Sequence, residues 1–422
     1  MRRRPPAALV SLTLVTASLL TACGALPEAG GERRTVTVWL MKTSVTREFL
    51  DRFTEAFESE HTDLELDVRL QEWTGVGDKV QAALKGSAED APDVIEVGNT
   101  QVAQYVTGDK LLDLTLESMR DWGEDDWLPG LAEPGRHLSR QYGIPWYAAN
   151  RVVIYRKDLF AEAGINEPPK TQDEWLDDTR ELNSGGTQGI YLAGQDWYTL
   201  AGFVWEAGGE LAKQSGGNWK GTLQEPAALR GMDFYRRLQA LGEGPVDADE
   251  EHPPQAGVFA GGQVAQIIAV PGVAQAVLKE NPGLAKKIGY FPVPGKSADE
   301  PGAVFTGGSD LVVPKNTDDR TGATAVIAAL AGAEWQTDLA RTMNYVPNKT
   351  TLADAVSGEA GVAAMAAGAA QGRATPASSE WAAVETDNPI KDYMTQVLSG
   401  ADPETEATRA SDRITEALEN GE

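Results

Sequence analysis

The chain has one cysteine, Cys23, so neither an internal disulfide nor a cysteine-based zinc centre can form. Its three histidines, His61, His137 and His252, stand far apart in polar surroundings and read as surface residues. No GxSxG elbow, Walker loop or dinucleotide fingerprint occurs. The acidic run Asp247 to Glu251 lacks the spacing and the glycine of an EF-hand. No metal and no cofactor is therefore expected, and catalysis has no motif behind it. Basic residues are also scarce, 37 against 63 acidic ones, for a net charge of −26. Such a chain repels nucleic acid and anionic lipid head groups. Carboxylates are plentiful enough that chance pairs are common, so composition alone leaves a secreted glycosidase open. Long apolar runs are missing too. The longest, Ala7 to Leu20, is broken by Ser and Thr and is shorter than the ~20 residues of a spanning helix.

That run has a different use. Arg2, Arg3 and Arg4 precede it, and Leu20-Thr21-Ala22-Cys23 follows, which resembles the lipobox of bacterial lipoproteins. The expectation is a signal peptide over 1–22, a lipidated Cys23, and a Pro/Gly/Glu-rich tether over 23–32. Removing 1–22 takes away three arginines and no acid, leaving 34 basic and 63 acidic residues, net −29.

Beyond the tether, strands and helices alternate, the pattern of a parallel, doubly wound α/β sheet. Strands are expected over 35–41, 64–70 and 92–97, with helices over 46–58 (capped by Ser44), 76–85 and from 102. Phe49, Phe53 and Phe57 share one helix face and read as core. Ligands of such sheets sit at the carboxyl ends of strands. Lys42, Glu72, Trp73, Asn99 and Gln101 all fall there and are candidate ligand-binding residues. In the stretch 143–160, Gly143 and Pro145 break regular structure before Trp146 and Tyr147. Asn150 and Arg151 follow, and Val152 to Tyr155 read as a buried strand. An aromatic platform beside hydrogen-bonding side chains suits a sugar, which offers an apolar ring face and a rim of hydroxyls. Core packing is the other reading of those rings. A strand over 189–193 leads to Gln195, Asp196 and Trp197, a carboxylate beside an indole. Further on, Thr171 and Glu174 form a capping box, and Phe305 to Asp310 precedes a strand over 311–313.

Gly143-Ile144-Pro145-Trp146 and Val153-Ile154-Tyr155-Arg156-Lys157-Asp158-Leu159 together resemble the central segment of family 1 extracellular solute-binding proteins, the maltose-binding-protein-like receptors of ABC importers. The resemblance runs along nearly the whole chain, through Pro92-Asp93-Val94, Pro271-Gly272, Gly307-Gly308-Ser309 and Pro347-Asn348-Lys349. It implies a periplasmic-binding-protein-like α/β fold of two doubly wound lobes, 33–149 with 307–372 and 150–306 with 373–422. Three chain crossings would form a hinge beside an interlobe cleft. It also implies a non-enzymatic monomeric receptor whose ligand passes to membrane permease subunits. Gly272, Gly308, Ser309, Asp310, Tyr345 and Trp381 join the candidate site on this ground. Two departures stand out. Val273 replaces a tryptophan usual in maltose-binding relatives, and Val97 with Thr100-Gln101 replaces a tryptophan and an acid–base pair. The aromatic-rich set looks closer to Gram-positive chito-oligosaccharide receptors, with xylo-oligosaccharide, maltose or another disaccharide as alternatives. A peptide or polyamine receptor would want more carboxylates and fewer tryptophans.

Overall fold

The computed structural model describes residues 33–42, 44–73, 75–86, 91–369, 371–376 and 378–419. The signal peptide, the tether and Cys23 lie outside the described residues. In chain order the strands are β1 Arg34–Met41, β2 Leu64–Gln71, β3 Val94–Gly98, β4 Arg136–His137, β5 Arg140–Gln141, β6 Ile144–Asn150, β7 Val152–Arg156, β8 Ala212–Ser215, β9 Asn218–Gly221, β10 Gln266–Ala269, β11 Ile288–Pro292, β12 Val304–Val312, β13 Val346–Pro347 and β14 Gly372–Arg373. Two sheets organise them. A seven-stranded sheet has the order β13-β6-β12-β3-β1-β2 with β14 attached to β12, and a three-stranded sheet has the order β10-β7-β11.

The expected parallel winding holds for β1, which pairs in parallel with β2 and β3. Elsewhere it needs correcting. Strand β12 enters the large sheet between β3 and β6 from the opposite direction, so its pairings with those two strands are antiparallel. The small sheet is antiparallel throughout. Residues 189–193 form only isolated bridges, Ile190 with Gly242 and Tyr191 with Ile267, rather than a strand. Conversely, Pro145 does not interrupt β6. It faces Asp310 where the register of β12 shifts between Ser309 and Asp310, and a bulge tolerates a residue without an N–H. Likewise Gly307 and Gly308 lie inside β12 rather than ahead of it. A Cβ on Gly308 would lie 2.2 Å from the Tyr147 carbonyl oxygen, so only glycine lets the two strands approach here.

Each sheet is covered on both faces. The helix Arg47–Glu60 buries Phe49, Phe53 and Phe57 against the large sheet, with the edge of Trp335 on two of the rings. Its N-cap is Thr46, whose Oγ1 accepts from Phe49 N at 3.2 Å, and not Ser44. The Thr171–Glu174 capping box forms as expected on the helix Gln172–Leu182. The small sheet carries a second core in which Trp175, Leu200, Phe203, Tyr235 and Ile268 pack together. A cluster on its other face includes Ile154 and Ile267 and reaches Ala148 and Val346 of the large sheet. The helix Ala360–Ala369, apolar on most faces, inserts Ala364 and Met365 into that cluster. The chain passes between the sheets at Arg151, within β12 near Phe305 and Thr306, and beside β14. Among the described residues no helix is long and apolar enough to cross a membrane.

Asp310 is sealed in this framework. A Cβ on Gly143 would lie 2.5 Å from its Oδ2, and one on Gly135 2.7 Å. Neither oxygen has a hydrogen-bond partner among the described residues. Burial holds the carboxyl well above the usual carboxylate range. A group raised in this way stabilises the fold most below its unfolded value, near pH 4, and loses that contribution as the pH climbs toward its folded value. Asp310→Asn removes the titration and keeps the size. The melting temperature of the variant relative to wild type should therefore rise by a few degrees between pH 4.5 and pH 8 in calorimetry, about 2–4 °C per kcal/mol at this domain size. A difference that stays constant over that interval would show that Asp310 is not held neutral.

Candidate ligand-binding site

The carboxyl ends of β1 and β3 open, together with the middle of β6 and β12, onto a cavity of about 600 Å³. Lys42, Val45, Trp73, Asn99, Gln101, Tyr147, Ser309 and Tyr345 come from the large-sheet side, and Tyr198, Glu251, Gly272 and Glu385 from the other. Arg151 reaches it from the crossing between the sheets.

The floor is built on a carboxylate that the sequence did not mark. Glu96, fully buried on β3, accepts from Met41 N at 2.7 Å through Oε2. Its Oε1 accepts from Ser44 Oγ at 2.6 Å, Ser309 Oγ at 2.7 Å and the Tyr147 hydroxyl at 3.0 Å. Burial pushes this carboxyl up to about 7, and the four hydrogen bonds act in the opposite direction. Above it, Tyr147 and Tyr345 stack with centroids 4.0 Å apart and planes within 7°. Ser44, freed from helix capping, is one of the supports.

The opposite wall starts from a helix cap. Asp196 N-caps Trp197–Glu206, its Oδ1 accepting from Thr199 N at 3.2 Å and its Oδ2 from Thr199 Oγ1 at 2.6 Å. The first helical turn then points Trp197 into the core, against Trp381 and Phe305, and Tyr198 toward the cavity. Tyr198 stacks on Phe305 at 4.5 Å, and the Arg151 guanidinium lies 4.7 Å from its centroid. Arg151 pairs with Glu250 at 2.8 Å and with Asp196 at 3.4 Å. Burial and the neighbouring Asp196 push Glu250 up to about 7, and Arg151 opposes them. Where the two walls meet, Thr100 Oγ1 donates to Glu385 Oε2 at 3.4 Å, and Trp381 Nε1 donates to Glu385 Oε1 at 2.9 Å. Burial raises Glu385 to about 7 against these two bonds. Past Glu385 an adjoining cavity of about 530 Å³ is lined by Gln195, Trp197 and the acids Asp249, Glu250 and Asp392, with Lys391. A third, of about 660 Å³, lies beyond Thr100 between Arg136, His137, Trp219 and Arg373.

The expected residues therefore divide. Lys42, Trp73, Asn99, Gln101, Tyr147, Arg151, Gly272, Gly308, Ser309 and Tyr345 line the central cavity. Gln195 and Trp197 line the adjoining one, with the Gln195 amide donating to Thr395 Oγ1 at 3.0 Å. The remaining candidates line neither. Trp146, the unpaired residue of the bulge in β6, is wholly buried in the large-sheet core with its ring edge-on to Tyr147 at 5.2 Å, and of the two only Tyr147 lines the cavity. Asn150 and Asp310 are fully buried, Asp196 is the helix cap, and Trp381 is a buried support for Glu385. Glu72 is exposed and pairs with the Lys42 ammonium. Sequence reasoning missed Tyr198, Phe305 and Glu385. Tyr198 adjoins Trp197, and the N-cap at Asp196 is the signal for which ring turns inward. Among the described residues no group of His, Cys, Asp and Glu is placed to hold a metal ion.

Residues 42–337 match the family of bacterial extracellular solute-binding proteins. The diacetylchitobiose binding protein DasA of Streptomyces coelicolor is 34% identical over 409 residues, covering 94% of this chain and 95% of its own. Among solved structures, the sugar-binding protein MalE of Xanthomonas citri superposes with a TM-score of 0.79 at 23% identity, over 92% of this chain and 98% of that one. The GacH receptor of Streptomyces glaucescens matches equally, with a TM-score of 0.79 at 23% identity over 92% of this chain and all of that one. The chain belongs to the bacterial extracellular solute-binding proteins, and it is accordingly a binding receptor and not an enzyme. Its fold is that of the MalE-type receptors.

Since Trp197 packs in the core, Trp197→Ala should destabilise the unliganded protein by about 3–5 kcal/mol, as deletion of a buried tryptophan does. Tyr198→Ala, on the cavity wall, should instead weaken ligand binding with a smaller loss of stability. Urea denaturation of both variants checks this. Equal stability of wild type and Trp197→Ala would place the indole on the cleft surface.

Proposed function

We propose that the protein is the lipid-anchored receptor of an ABC sugar importer and binds a di- or oligosaccharide, with chito-oligosaccharide as the leading ligand. The observation that carries this is the composition of the 600 Å³ cavity, whose volume falls in the ~300–1,000 Å³ range of small-molecule sites. Its walls place the rings of Trp73, Tyr147, Tyr198 and Tyr345 among the neutral polar groups of Asn99, Gln101 and Ser309. Ring faces take the C–H face of a pyranose, and amides and hydroxyls take its rim. DasA, similar over nearly the whole length, is named for diacetylchitobiose. Val273 lines the cavity where maltose-binding relatives carry a tryptophan, which weighs against maltose.

In this reading the lobes are 33–149 with 307–372 and 150–306 with 373–422, apart from the packing of residues 360–369 on the small sheet. Closure bends the three crossings, and the contact of Thr100 with Glu385 is one that holds the two walls together. The receptor works as a monomer, hands its ligand to permease subunits, and stays at the outer face of the membrane through lipid on Cys23. Replacing Cys23 with Ser should move it from the membrane fraction to the soluble one, and full retention in the membrane would rule the anchor out.

A receptor releases its ligand intact, whereas a glycosidase needs two carboxyls poised ~5–9 Å apart across the bond. Saturable tryptophan fluorescence with diacetylchitobiose, and an unchanged sugar mass after a day with purified protein, are the expected results. Shortened products that scale with protein concentration would overturn this reading.

A further inference from the structure

We propose that the turn Asn99–Gln101 reads an acetamido substituent on the bound sugar and so sets the preference of the cleft for N-acetylated units. The inference rests on the sugar-receptor reading above and adds the residues that make the distinction.

Strand β3 ends at Gly98, and the chain makes one 3₁₀ turn over Asn99–Gln101 before the helix Val102–Val106. Asn99 is 2% exposed and lines the central cavity. Its Oδ1 accepts from Thr100 N at 3.0 Å, which fixes the orientation of the amide. The other end, Nδ2, is buried and has no hydrogen-bond partner among the described residues. Two residues on, the Gln101 side chain folds back over Gly98, its Cδ 3.7 Å from where a Cβ on that glycine would lie. Gln101 lines the same cavity, and its Oε1 is likewise buried and unpartnered. Between them, Thr100 is already engaged with Glu385.

One short turn thus holds one unmet donor and one unmet acceptor at the same cavity. Buried amide groups without partners are rare and costly, and each such group in a folded protein calls for an explanation. The complement is a ligand group with one acceptor and one donor on separate atoms. An acetamido group has both, its carbonyl oxygen for Asn99 Nδ2 and its N–H for Gln101 Oε1. An ammonium has donors only and would leave Asn99 Nδ2 facing a positive charge. A single hydroxyl carries both functions on one oxygen, so it meets both partners only where that one atom lies within reach of each, whereas an acetamido group carries them on separate atoms. A site that hydrogen-bonds a particular group rejects analogues lacking it, because its own polar atoms are then stranded.

The test is titration calorimetry of the purified protein with three β-1,4-linked dimers, of N-acetylglucosamine, glucosamine and glucose, which differ only at C2. Wild type should bind the acetylated dimer at least ~10-fold more tightly than the glucose dimer, about 1.4 kcal/mol. Asn99→Asp keeps the oxygen that Thr100 uses and removes the donor, and Gln101→Met keeps the length and removes the acceptor. Each should lower that acetyl-to-hydroxyl affinity ratio at least ~5-fold. Should Asn99→Asp fail to fold, Gln101→Met decides alone. An unchanged ratio in the folded variants, or tightest binding of the glucosamine dimer by wild type, overturns the assignment and leaves the sugar receptor standing. Binding of none of the three, with an α-linked sugar bound instead, overturns the chito-oligosaccharide reading itself.

Discussion

The cleft depends on one carboxylate that no solvent reaches. Glu96 gathers donors from the loop after β1, from β6 and from β12 onto two oxygens, so three separate stretches of chain meet at its side chain on β3. A buried carboxyl without partners is very costly, and one with four hydrogen bonds is tolerated and fixes its partners in place. The Tyr147–Tyr345 stack is a consequence, since the Tyr147 hydroxyl has a fixed address and its ring follows. The close approach of β12 at Gly308 brings Ser309 into the same network. Removing the Glu96 carboxylate would strand the Met41 amide and leave the three hydroxyls with only one another.

The far wall solves a charge problem in a different way. Arg151 sits at the crossing between the sheets, largely removed from water, and is held by Glu250, by Asp196 and by the face of Tyr198. That neutralises the cation at the edge of the cavity and leaves aromatic and amide surfaces to meet a ligand. The acidity of the chain is spent on solubility and on surface ion pairs such as Arg34 with Asp319 and Arg413 with Asp392. An uncharged ligand is what such a neutralised cleft fits.

Much of this was readable in the sequence, and the failures share a cause. The rule that ligands gather at strand carboxyl ends located Lys42, Trp73, Asn99 and Gln101, all of which line the cavity. The aromatics were harder, because ring type says nothing of direction. Trp146 and Tyr147 look like a joint platform, but in the strand Ile144–Asn150 their rings meet edge to face, with Trp146 wholly buried and Tyr147 alone lining the cavity. Pro145 hid that strand, and the bulge that accommodates it, with Trp146 as the extra residue of β6, is defined only by pairing with Ser309 and Asp310 of β12, more than 150 residues away. Trp197 and Trp381 likewise turn inward, one placed by the Asp196 cap and the other by its bond to Glu385. Glu96 was invisible, since a single acid in the run Val94 to Val97 gives no sign of the three hydroxyls that converge on it from distant segments.

The most direct measurement is a crystal structure of the protein grown with diacetylchitobiose. The account predicts sugar density in the 600 Å³ cavity, with pyranose faces against the rings of Tyr147, Tyr345, Trp73 or Tyr198 and polar contacts to Asn99 and Gln101. Density instead in the groove between Arg136, Trp219 and Arg373, or a central cavity left empty at saturating sugar, would contradict it.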